Sequence, residues 1–465
     1  MKVVVVGINH AGTSAIRTLL SINPEAEVIA FDRNNNISFL GCGIALSVSG
    51  VVKNTNDLFY SNPEELKSMG AKIFMNTDVV EINREEKFVR VVDLETNEER
   101  TETFDKLIYA AGSWPVDLHF ENQDLKNIEI CKLYQHALKL IEDADNSEIK
   151  KVAVIGAGYI GVELAEAYAE KGKEVALIDF LPRVLGNYYD ESFTNELEES
   201  MRKSGINLHL GQKVSKFIAN DDGSVAKVVT DKEEIDADLV ILCIGFKPNT
   251  ELLPGLKKIQ NGALVVNRKA QTSHPDIYAI GDCAAIFDAA TKQYRHVALA
   301  TNAVKLGIVA ASQIAGLENV IIPNIVGTNA IAVFGLKYAS TGVTEDVATK
   351  YGLKVKSCHY FDNDRPEWMN TVEKVQVKLV YEEETYRLVG AQILSYGNSN
   401  HTEWIFSLAL AIQLGLNLFQ IAFTDVYFLP HLNKPFNFVL SSILKAIGMK
   451  YICLLYTSDA ADDLL

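Results

Sequence analysis

Short, wholly apolar runs that end in glycine-rich turns dominate the hydrophobic pattern of this 465-residue chain. The first run, Val3–Val6, leads into a turn that extends from Gly7 to Gly12 and then into a predicted helix. A second apolar run, Glu27–Phe31, ends at Asp32. Because uninterrupted apolar runs of this length are typical of buried parallel strands, the order predicts a strand–helix–strand unit. Its helix N-terminus is suited to a pyrophosphate, and the carboxylate of Asp32 is suited to ribose hydroxyls.

The same order of elements recurs in the middle of the chain, where the glycine turn is complete. A strand over Lys151–Ile155 leads into Gly156-Ala157-Gly158-Tyr159-Ile160-Gly161, which opens a helix, and the next strand ends at Asp179. This turn is a full dinucleotide fingerprint, whereas in the first turn Asn9 stands where the middle glycine is expected. An acid at the position of Asp179 accepts from both ribose hydroxyls and repels a 2′-phosphate, so it favours NAD over NADP.

Two dinucleotide units in one chain have two explanations. Either one copy is merely structural, or two nucleotides meet and exchange electrons. The natural pair in the second case is FAD, held tightly by the first unit, and NADH, which visits the second. Two further apolar strands end in small residues, at Ala111 and Gly245, and small residues let the backbone approach a nucleotide closely. Asp282, near the end of the predicted strand Ile277–Cys283, either accepts from a ribityl hydroxyl of a flavin or caps a helix.

The stretch Ser38–Leu46 holds one cysteine, Cys42, between two glycines. The apolar residues after it predict a helix, and a thiol near the positive end of a helix has a lowered pKa. No second cysteine follows within the next two turns, so a redox cycle at Cys42 runs between thiolate and sulfenic acid. An isolated cysteine is more often a small buried hydrophobe in a turn. His10, in the first turn of the first predicted helix, is a neutral polar cap unless Cys42 lies near it in space.

From about residue 320 the pattern changes to strands followed by helices, without a dinucleotide motif. Polar residues interrupt the apolar stretch Trp404–Phe423, so a buried helix at a subunit contact is favoured over a membrane span. The aromatic stretch Asp425–Pro435 is also suited to a subunit contact. These patterns predict an α/β fold with two Rossmann-like dinucleotide-binding domains and an α+β C-terminal domain. The strands predicted in that last domain are Ala330–Phe334, Leu353–Tyr360, Val375–Tyr381 and Leu388–Leu394.

Composition narrows the class of protein further. The formal net charge of −16 argues against a nucleic-acid-binding protein, which needs a basic face. Six cysteines are scattered without CxxC or metal-ligand spacing, which favours reduced thiols in the cytoplasm and no metal site. The N-terminal sequence lacks the apolar region and cleavage site of a signal peptide, which favours the same compartment.

Five segments together resemble one family, the pyridine nucleotide–disulfide oxidoreductases, in its single-cysteine branch. That branch includes water-forming NADH oxidase, NADH peroxidase and coenzyme A-disulfide reductase, and the resemblance covers residues 1 to about 450. The segments are His10-Ala11-Gly12-Thr13, Ser38–Leu46, Gly156–Gly161, Thr272–Cys283 and Phe428–Pro435. The resemblance implies an FAD-binding domain at 1–115 and 246–319, an NADH-binding domain at 116–245 and a dimerisation domain at 320–450.

The resemblance also implies roles for single residues. Cys42 would be the redox cysteine and His10 its acid–base neighbour. Tyr159 would be the gate between nicotinamide and flavin. The remaining residues assigned to the cofactors are, for FAD, Gly7, Gly12, Asp32, Ala111 and Asp282; for NADH, Gly156, Gly158, Gly161 and Asp179; and, without a choice between the two cofactors, Tyr188 and Gly245.

The activity that the resemblance implies is an FAD-dependent NADH oxidase that reduces O₂ to water through a thiolate–sulfenic acid cycle at Cys42. Two NADH, one O₂ and two protons would give two NAD⁺ and two water molecules. NADH peroxidase, with H₂O₂ as oxidant, and coenzyme A-disulfide reductase stay open as alternatives, as does an NADH-binding redox sensor without turnover. A homodimer is expected, and a tetramer of two such dimers stays open. The tail Tyr451–Leu465, with Cys453, fits nothing in the family and resembles a translated vector sequence.

Overall fold

The computed structural model describes residues 1–449, so the segment predicted to be foreign, with Cys453, lies outside the described residues. The chain divides into two compact units. The first unit consists of Met1–Phe180, Ile206–Phe287 and Gln293–Asn324. The second consists of Leu181–Gly205, Asp288–Lys292 and the chain from Ile325 onward.

Two five-stranded parallel sheets form the centre of the first unit. Their central strands are almost wholly buried, as the apolar runs predicted, and Val3, Val4 and Val5 have no exposed surface. The first sheet has the strand order Ile277–Ala279, Lys106–Tyr109, Lys2–Val6, Glu27–Phe31 and Lys72–Phe74. The second has the order Asn207–Leu210, Glu174–Asp179, Lys151–Ile155, Leu239–Leu242 and Ile128–Ile130.

Helices and small antiparallel sheets complete the first unit. Its α-helices are His10–Ile22, Ile44–Val48, Pro63–Ser68, Tyr134–Asp145, Tyr159–Glu170 and Ala300–Ile314. Two three-stranded antiparallel sheets consist of Thr77–Asn83, Phe88–Asp93 and Glu99–Thr103, and of Val214–Ala219, Val225–Thr230 and Glu234–Asp236. The short strands are Ser113–Pro115, Phe246–Pro248, Leu264–Val265, Ala284–Phe287 and Tyr294–Arg295.

The second unit is built on one five-stranded antiparallel sheet. Its strand order is Asn329–Val333, Leu336–Gly342, Leu388–Ser395, Lys374–Glu382 and Val355–Asn363. Its α-helices are Glu191–Lys203, Glu345–Lys350, Ile405–Leu414, Leu418–Ile421 and Phe438–Ala446. The α/β fold class with two dinucleotide-binding sheets and an α+β C-terminal part is thereby confirmed.

Local details differ from the prediction in three places. The strand Leu336–Gly342 was not predicted, because Lys337, Ser340 and Thr341 give it no apolar run, yet it pairs with Asn329–Val333 across a tight turn. The predicted strand Ile277–Cys283 is shorter: it ends at Ala279, and a 3₁₀ turn, Gly281–Cys283, follows.

The third difference is the apolar stretch predicted as a buried helix. It is broken into Ile405–Leu414 and Leu418–Ile421, because Gly415 adopts a left-handed conformation with φ of 70° and Asn417 caps the second helix. Within residues 1–449, no helix combines the length and the hydropathy that crossing a bilayer requires. The same part of the chain has no group of three or more His, Cys, Asp or Glu side chains placed to hold a metal ion.

Candidate redox and dinucleotide sites

The first glycine turn is built so tightly that its two glycines cannot carry a side chain. A Cβ atom on Gly7, where φ is +90°, would lie 2.4 Å from the carbonyl oxygen of Ala110. A Cβ atom on Gly12 would lie 2.0 Å from the carbonyl oxygen of Gly7. The helix that starts at His10 therefore packs closely against the end of the first strand, and its N-terminal amides lie at the carboxyl end of that strand.

Asp32 is held in this turn by backbone amides. Its two carboxylate oxygens accept hydrogen bonds from the amides of Ile8, at 2.7 Å, and Asn34, at 2.8 Å. Burial raises the pKa of Asp32 to about 6 in spite of these two bonds. A carboxylate at this position can accept from vicinal ribose hydroxyls, so the first turn fits an adenosine dinucleotide.

The second glycine turn repeats this geometry. A Cβ atom on Gly156 would lie 2.3 Å from the carbonyl oxygen of Cys243, and one on Gly161 would lie 1.8 Å from the carbonyl oxygen of Gly156. Asp179 accepts a hydrogen bond of 2.5 Å from the Ala157 amide. At Gly158, by contrast, a Cβ atom would meet nothing within 4 Å, so this glycine borders open space in front of the helix N-terminus. The second turn therefore fits the pyrophosphate of a second dinucleotide.

Asp282 lies in a polar cluster that the sequence did not predict. Ser113 donates to its carboxylate at 2.8 Å, and the Lys132 ammonium lies 3.6 Å from the same carboxylate oxygen and 3.2 Å from the Ser113 hydroxyl. The Lys132 ammonium also lies 4.3 Å from the centre of the Phe246 ring. Neither Ser113 nor Lys132 belongs to a motif, so only their position in the fold could reveal them. A cation and an acid at the carboxyl end of the first sheet suit the polar groups of a bound nucleotide.

Small residues stand at the two strand ends that are predicted to lie close to a nucleotide. The carbonyl oxygen of Ala111 accepts from the Asn249 side chain at 2.9 Å, and Gly112 beside it has a φ of 68° with nothing within 4 Å of its Cβ position. Gly245 has a φ of 97° and equally open space. Tyr188 belongs to the second unit, is 38% exposed and has a pKa raised by burial of its hydroxyl.

Cys42 occupies a 3₁₀ turn, Gly41–Gly43, that runs directly into the helix Ile44–Val48. Its side chain is accessible, and it forms no disulfide. Partial burial nevertheless raises the pKa of the thiol, and the carboxylate of Glu163 raises it further. The predicted lowering of the Cys42 pKa is therefore wrong for the polypeptide's own groups, because partial burial outweighs the effect of a helix of only five residues and the Glu163 carboxylate adds to the rise.

Glu163 belongs to the helix that follows the second glycine turn, and its charge acts on the Cys42 thiol. It lies on the helix Tyr159–Glu170, which packs against the helix that follows Cys42. Burial raises the pKa of Glu163 to about 7, with Glu166 adding to the shift. Tyr159 is the first residue of the same helix and is half-buried. The fold thus places Cys42 beside the helix that begins at the second glycine turn.

His10 is the first residue of the helix that follows the first glycine turn. Its Nδ1 lies 3.0 Å from the hydroxyl oxygen of Tyr60, and the two rings are stacked at 7° with their centres 5.6 Å apart. Burial lowers the pKa of His10; Asp282 opposes this and Lys132 adds to it. The imidazole is therefore neutral at pH 7 and lies within electrostatic range of the Asp282 cluster.

Comparison with known proteins gives two family matches and a set of close relatives. Residues 1–307 match the family model "Pyridine nucleotide-disulphide oxidoreductase", and residues 328–437 match its dimerisation domain. The chain is 52% identical to an NADH oxidase of Mycoplasma pneumoniae, over 97% of this chain and 98% of that protein. It is 46% identical to an NADH oxidase of Enterococcus faecalis, over 94% and 98%. Among solved structures, a water-forming NADH oxidase from Lactobacillus brevis bound to NADH matches with a TM-score of 0.92 and 39% identity, over 96% and 98%.

Proposed function

The chain belongs to the pyridine nucleotide–disulphide oxidoreductase family, and from that premise we propose that it is an FAD-dependent NADH oxidase that reduces O₂ to water. The observation that carries the proposal is the position of Cys42, an accessible unpaired thiol next to the helix of the second glycine turn. A single thiol can cycle between thiolate and sulfenic acid without a partner cysteine. The relatives that match over nearly the full chain are named NADH oxidase.

The residues of the first turn fit FAD. Gly7 and Gly12 bring the helix N-terminus to the pyrophosphate, and Asp32 accepts from the adenosine ribose. Asp282, with Ser113 and Lys132, is available to the ribityl and phosphate groups. When bound, FAD supplies the transfer of electrons from NADH to O₂.

The residues of the second turn fit NADH. Gly156, Gly158 and Gly161 form the pyrophosphate cradle, and Asp179 accepts from the ribose and repels a 2′-phosphate. The next basic residue along the chain, Arg183, is already paired with Asp346 at 2.6 Å, so it does not offer a free cation to a 2′-phosphate. NADH is therefore preferred to NADPH.

Cys42 determines whether O₂ is reduced only to H₂O₂ or fully to water. Its thiolate attacks one oxygen atom of the H₂O₂ that two-electron reduction of O₂ yields. An S–O bond forms, the O–O bond breaks, and the other oxygen leaves as hydroxide, which takes up a proton to give the first water. The electrons of a second NADH then return the sulfenic acid to the thiolate and release the second water. Because partial burial and the Glu163 carboxylate both disfavour the thiolate, bound cofactor and His10 have to stabilise it.

The stoichiometry of the reaction tests this function. We expect two NADH to be oxidised per O₂ consumed, with the same oxygen consumption in the presence and absence of catalase. A requirement for added H₂O₂ would identify an NADH peroxidase instead, and dependence on coenzyme A disulfide would identify a disulfide reductase. Reduction of the flavin without further NADH loss would identify a sensor.

The pKa of Asp32 predicts how FAD affinity depends on pH. The ribose hydroxyls bind the ionised carboxylate, whereas the apoprotein binds a proton there below about pH 6. Binding therefore competes with protonation, and FAD affinity should fall by about tenfold per pH unit below about pH 6 and stay constant above it. Fluorescence titration of the apoprotein with FAD between pH 5 and 8 measures this.

Two variants complete that experiment. Asp32→Asn should bind FAD more weakly and without the slope below pH 6, while Asp179→Asn, which changes the matching acid of the second turn, should keep the slope. A slope that persists in Asp32→Asn would assign the titration to another group.

We also propose that the chain forms a homodimer through the second unit, part of which matches the family's dimerisation domain. Phe406, Leu410 and Leu414 follow one another at four-residue spacing on the helix Ile405–Leu414 and are 65%, 55% and 65% exposed. Such an apolar stripe is typical of a subunit contact. Leu410→Glu should shift the protein from dimer to monomer in sedimentation velocity, and a wild-type monomer would contradict the assignment.

A further inference from the structure

Tyr60 contacts the His10 imidazole with both its hydroxyl group and its ring. The Tyr60 hydroxyl lies 3.0 Å from Nδ1 of His10, and the rings are nearly parallel. The two residues come from different segments, since His10 begins a helix while Tyr60 lies in the loop before the helix Pro63–Ser68. One edge of the imidazole is therefore occupied by a tyrosine, which leaves the Nε2 edge available for another partner.

The loop that carries Tyr60 is bonded to the stretch that carries Cys42. The Ser38 hydroxyl donates to the Ser61 carbonyl at 2.7 Å and accepts from the Ser61 amide at 2.9 Å. Ser38 is fully buried. The loop that carries Tyr60 is thus fixed relative to Ser38, at the start of the stretch that contains Cys42.

Arg17 holds the same loop from the other side. Its guanidinium donates to the Tyr60 carbonyl at 3.3 Å, lies 6.0 Å from the centre of the Tyr60 ring and pairs with Glu65. Glu65 in turn accepts from the Ser61 hydroxyl at 2.9 Å. These bonds hold the backbone of the loop, and the hydrogen bond to Nδ1 holds the Tyr60 ring beside His10.

The direction of the Tyr60–His10 hydrogen bond follows from the protonation of both groups. Burial raises the pKa of Tyr60 to about 12, with Arg17 opposing, so the phenol keeps its proton. Burial lowers the pKa of His10, so the imidazole is neutral. Tyr60 is 38% exposed, so water is open to its hydroxyl in either arrangement. A neutral phenol is nevertheless the more acidic donor, and a neutral imidazole nitrogen the more basic acceptor, of the two groups. The phenol therefore donates to Nδ1, and the imidazole proton lies on Nε2.

We propose that Tyr60 is a positioning residue that fixes His10 as the neutral Nε2–H tautomer, so that His10 acts as a hydrogen-bond donor and not as a base. The catalytic part of this inference rests on the proposed oxidase function. A neutral imidazole N–H stabilises negative charge on a sulfur or oxygen atom without giving up its proton. The charged groups that bear on His10 are Asp282, on the turn Gly281–Cys283, and Lys132, and their effects on its pKa oppose each other.

The test combines nitrogen-15 NMR of histidine-labelled holoenzyme with steady-state kinetics. His10→Gln identifies the His10 signals by their loss. In the wild type we expect one species, with the proton on Nε2, from pH 7 to 8. Tyr60→Phe keeps the stacked ring but removes the donor, so His10 should show both tautomers and take up a proton as the pH is lowered. Because one hydrogen bond is lost, kcat should fall roughly tenfold while KM for NADH is unchanged.

Tyr134→Phe is the matched control. Tyr134 lies among Phe39 and Phe59, and its hydroxyl lies 2.9 Å from that of Thr55, so its loss removes a tyrosine hydroxyl that does not touch His10. This variant should keep the His10 spectrum and kcat. A wild-type proton on Nδ1, or a Tyr60→Phe spectrum identical to the wild type, would overturn the inference. These spectra are independent of the products, so a failure of the oxidase stoichiometry is recognised separately.

Discussion

Replacing Cys42 with serine should convert the enzyme from a water-producing into a peroxide-producing oxidase, with one NADH consumed per O₂ instead of two. The serine hydroxyl cannot take an oxygen atom from reduced O₂, because it forms no counterpart of the sulfenic acid. Hydrogen peroxide is then the final product. FAD binding should be retained, since Cys42 is accessible and its side chain is replaced by one of similar size.

The measurement is oxygen consumption at a fixed amount of NADH, followed by addition of catalase. In the Cys42→Ser variant, catalase should return half of the consumed O₂, whereas in the wild type it should return none. Cys358→Ser is the control, because this buried thiol of the second unit has no role in the proposed reaction and its Sγ lies 3.5 Å from the Ser442 carbonyl. Water as the product of both variants would remove Cys42 from the mechanism.

The local sequence was sufficient for the two nucleotide turns. Each turn depends on glycines whose Cβ atoms would lie within 2.4 Å of a backbone oxygen, as at Gly7 and Gly161, and on an acid at the end of the next strand. Those features are contained in about 30 consecutive residues, so a sequence pattern can specify them. The parallel order of the strands follows from the same units.

The partners of the redox residues were not predictable in this way. Tyr60 lies 50 positions from His10, and Lys132 lies 150 positions from Asp282, so neither pair leaves a local pattern. The pKa of Cys42 was predicted in the wrong direction for the same reason. The sequence showed the helix after the cysteine, but it did not show that the thiol is partly buried, that the helix is short or that the Glu163 carboxylate acts on the thiol. The contributions of residues distant in the sequence to a pKa can be known only from the folded structure.

Two alanine substitutions in the second glycine turn should distinguish a glycine that is needed for NADH binding from one that is also needed for the fold. At Gly158 a Cβ atom meets no protein atom within 4 Å, so Gly158→Ala should keep its melting temperature and its FAD. The added methyl group would lie where the pyrophosphate passes, and KM for NADH should rise by at least about tenfold. At Gly161 a Cβ atom would lie 1.8 Å from the Gly156 carbonyl oxygen, so Gly161→Ala should also destabilise the protein by about 1–3 kcal/mol.

The comparison requires the melting temperature, the flavin absorbance and KM for NADH of both variants. An unchanged KM in Gly158→Ala would show that no nucleotide pyrophosphate lies on this turn. Loss of FAD with an unchanged KM would show that the two turns have exchanged cofactors relative to the proposal. Because a Cβ atom at Gly158 would meet no protein atom within 4 Å, either result would concern the ligand and not the stability of the sheet.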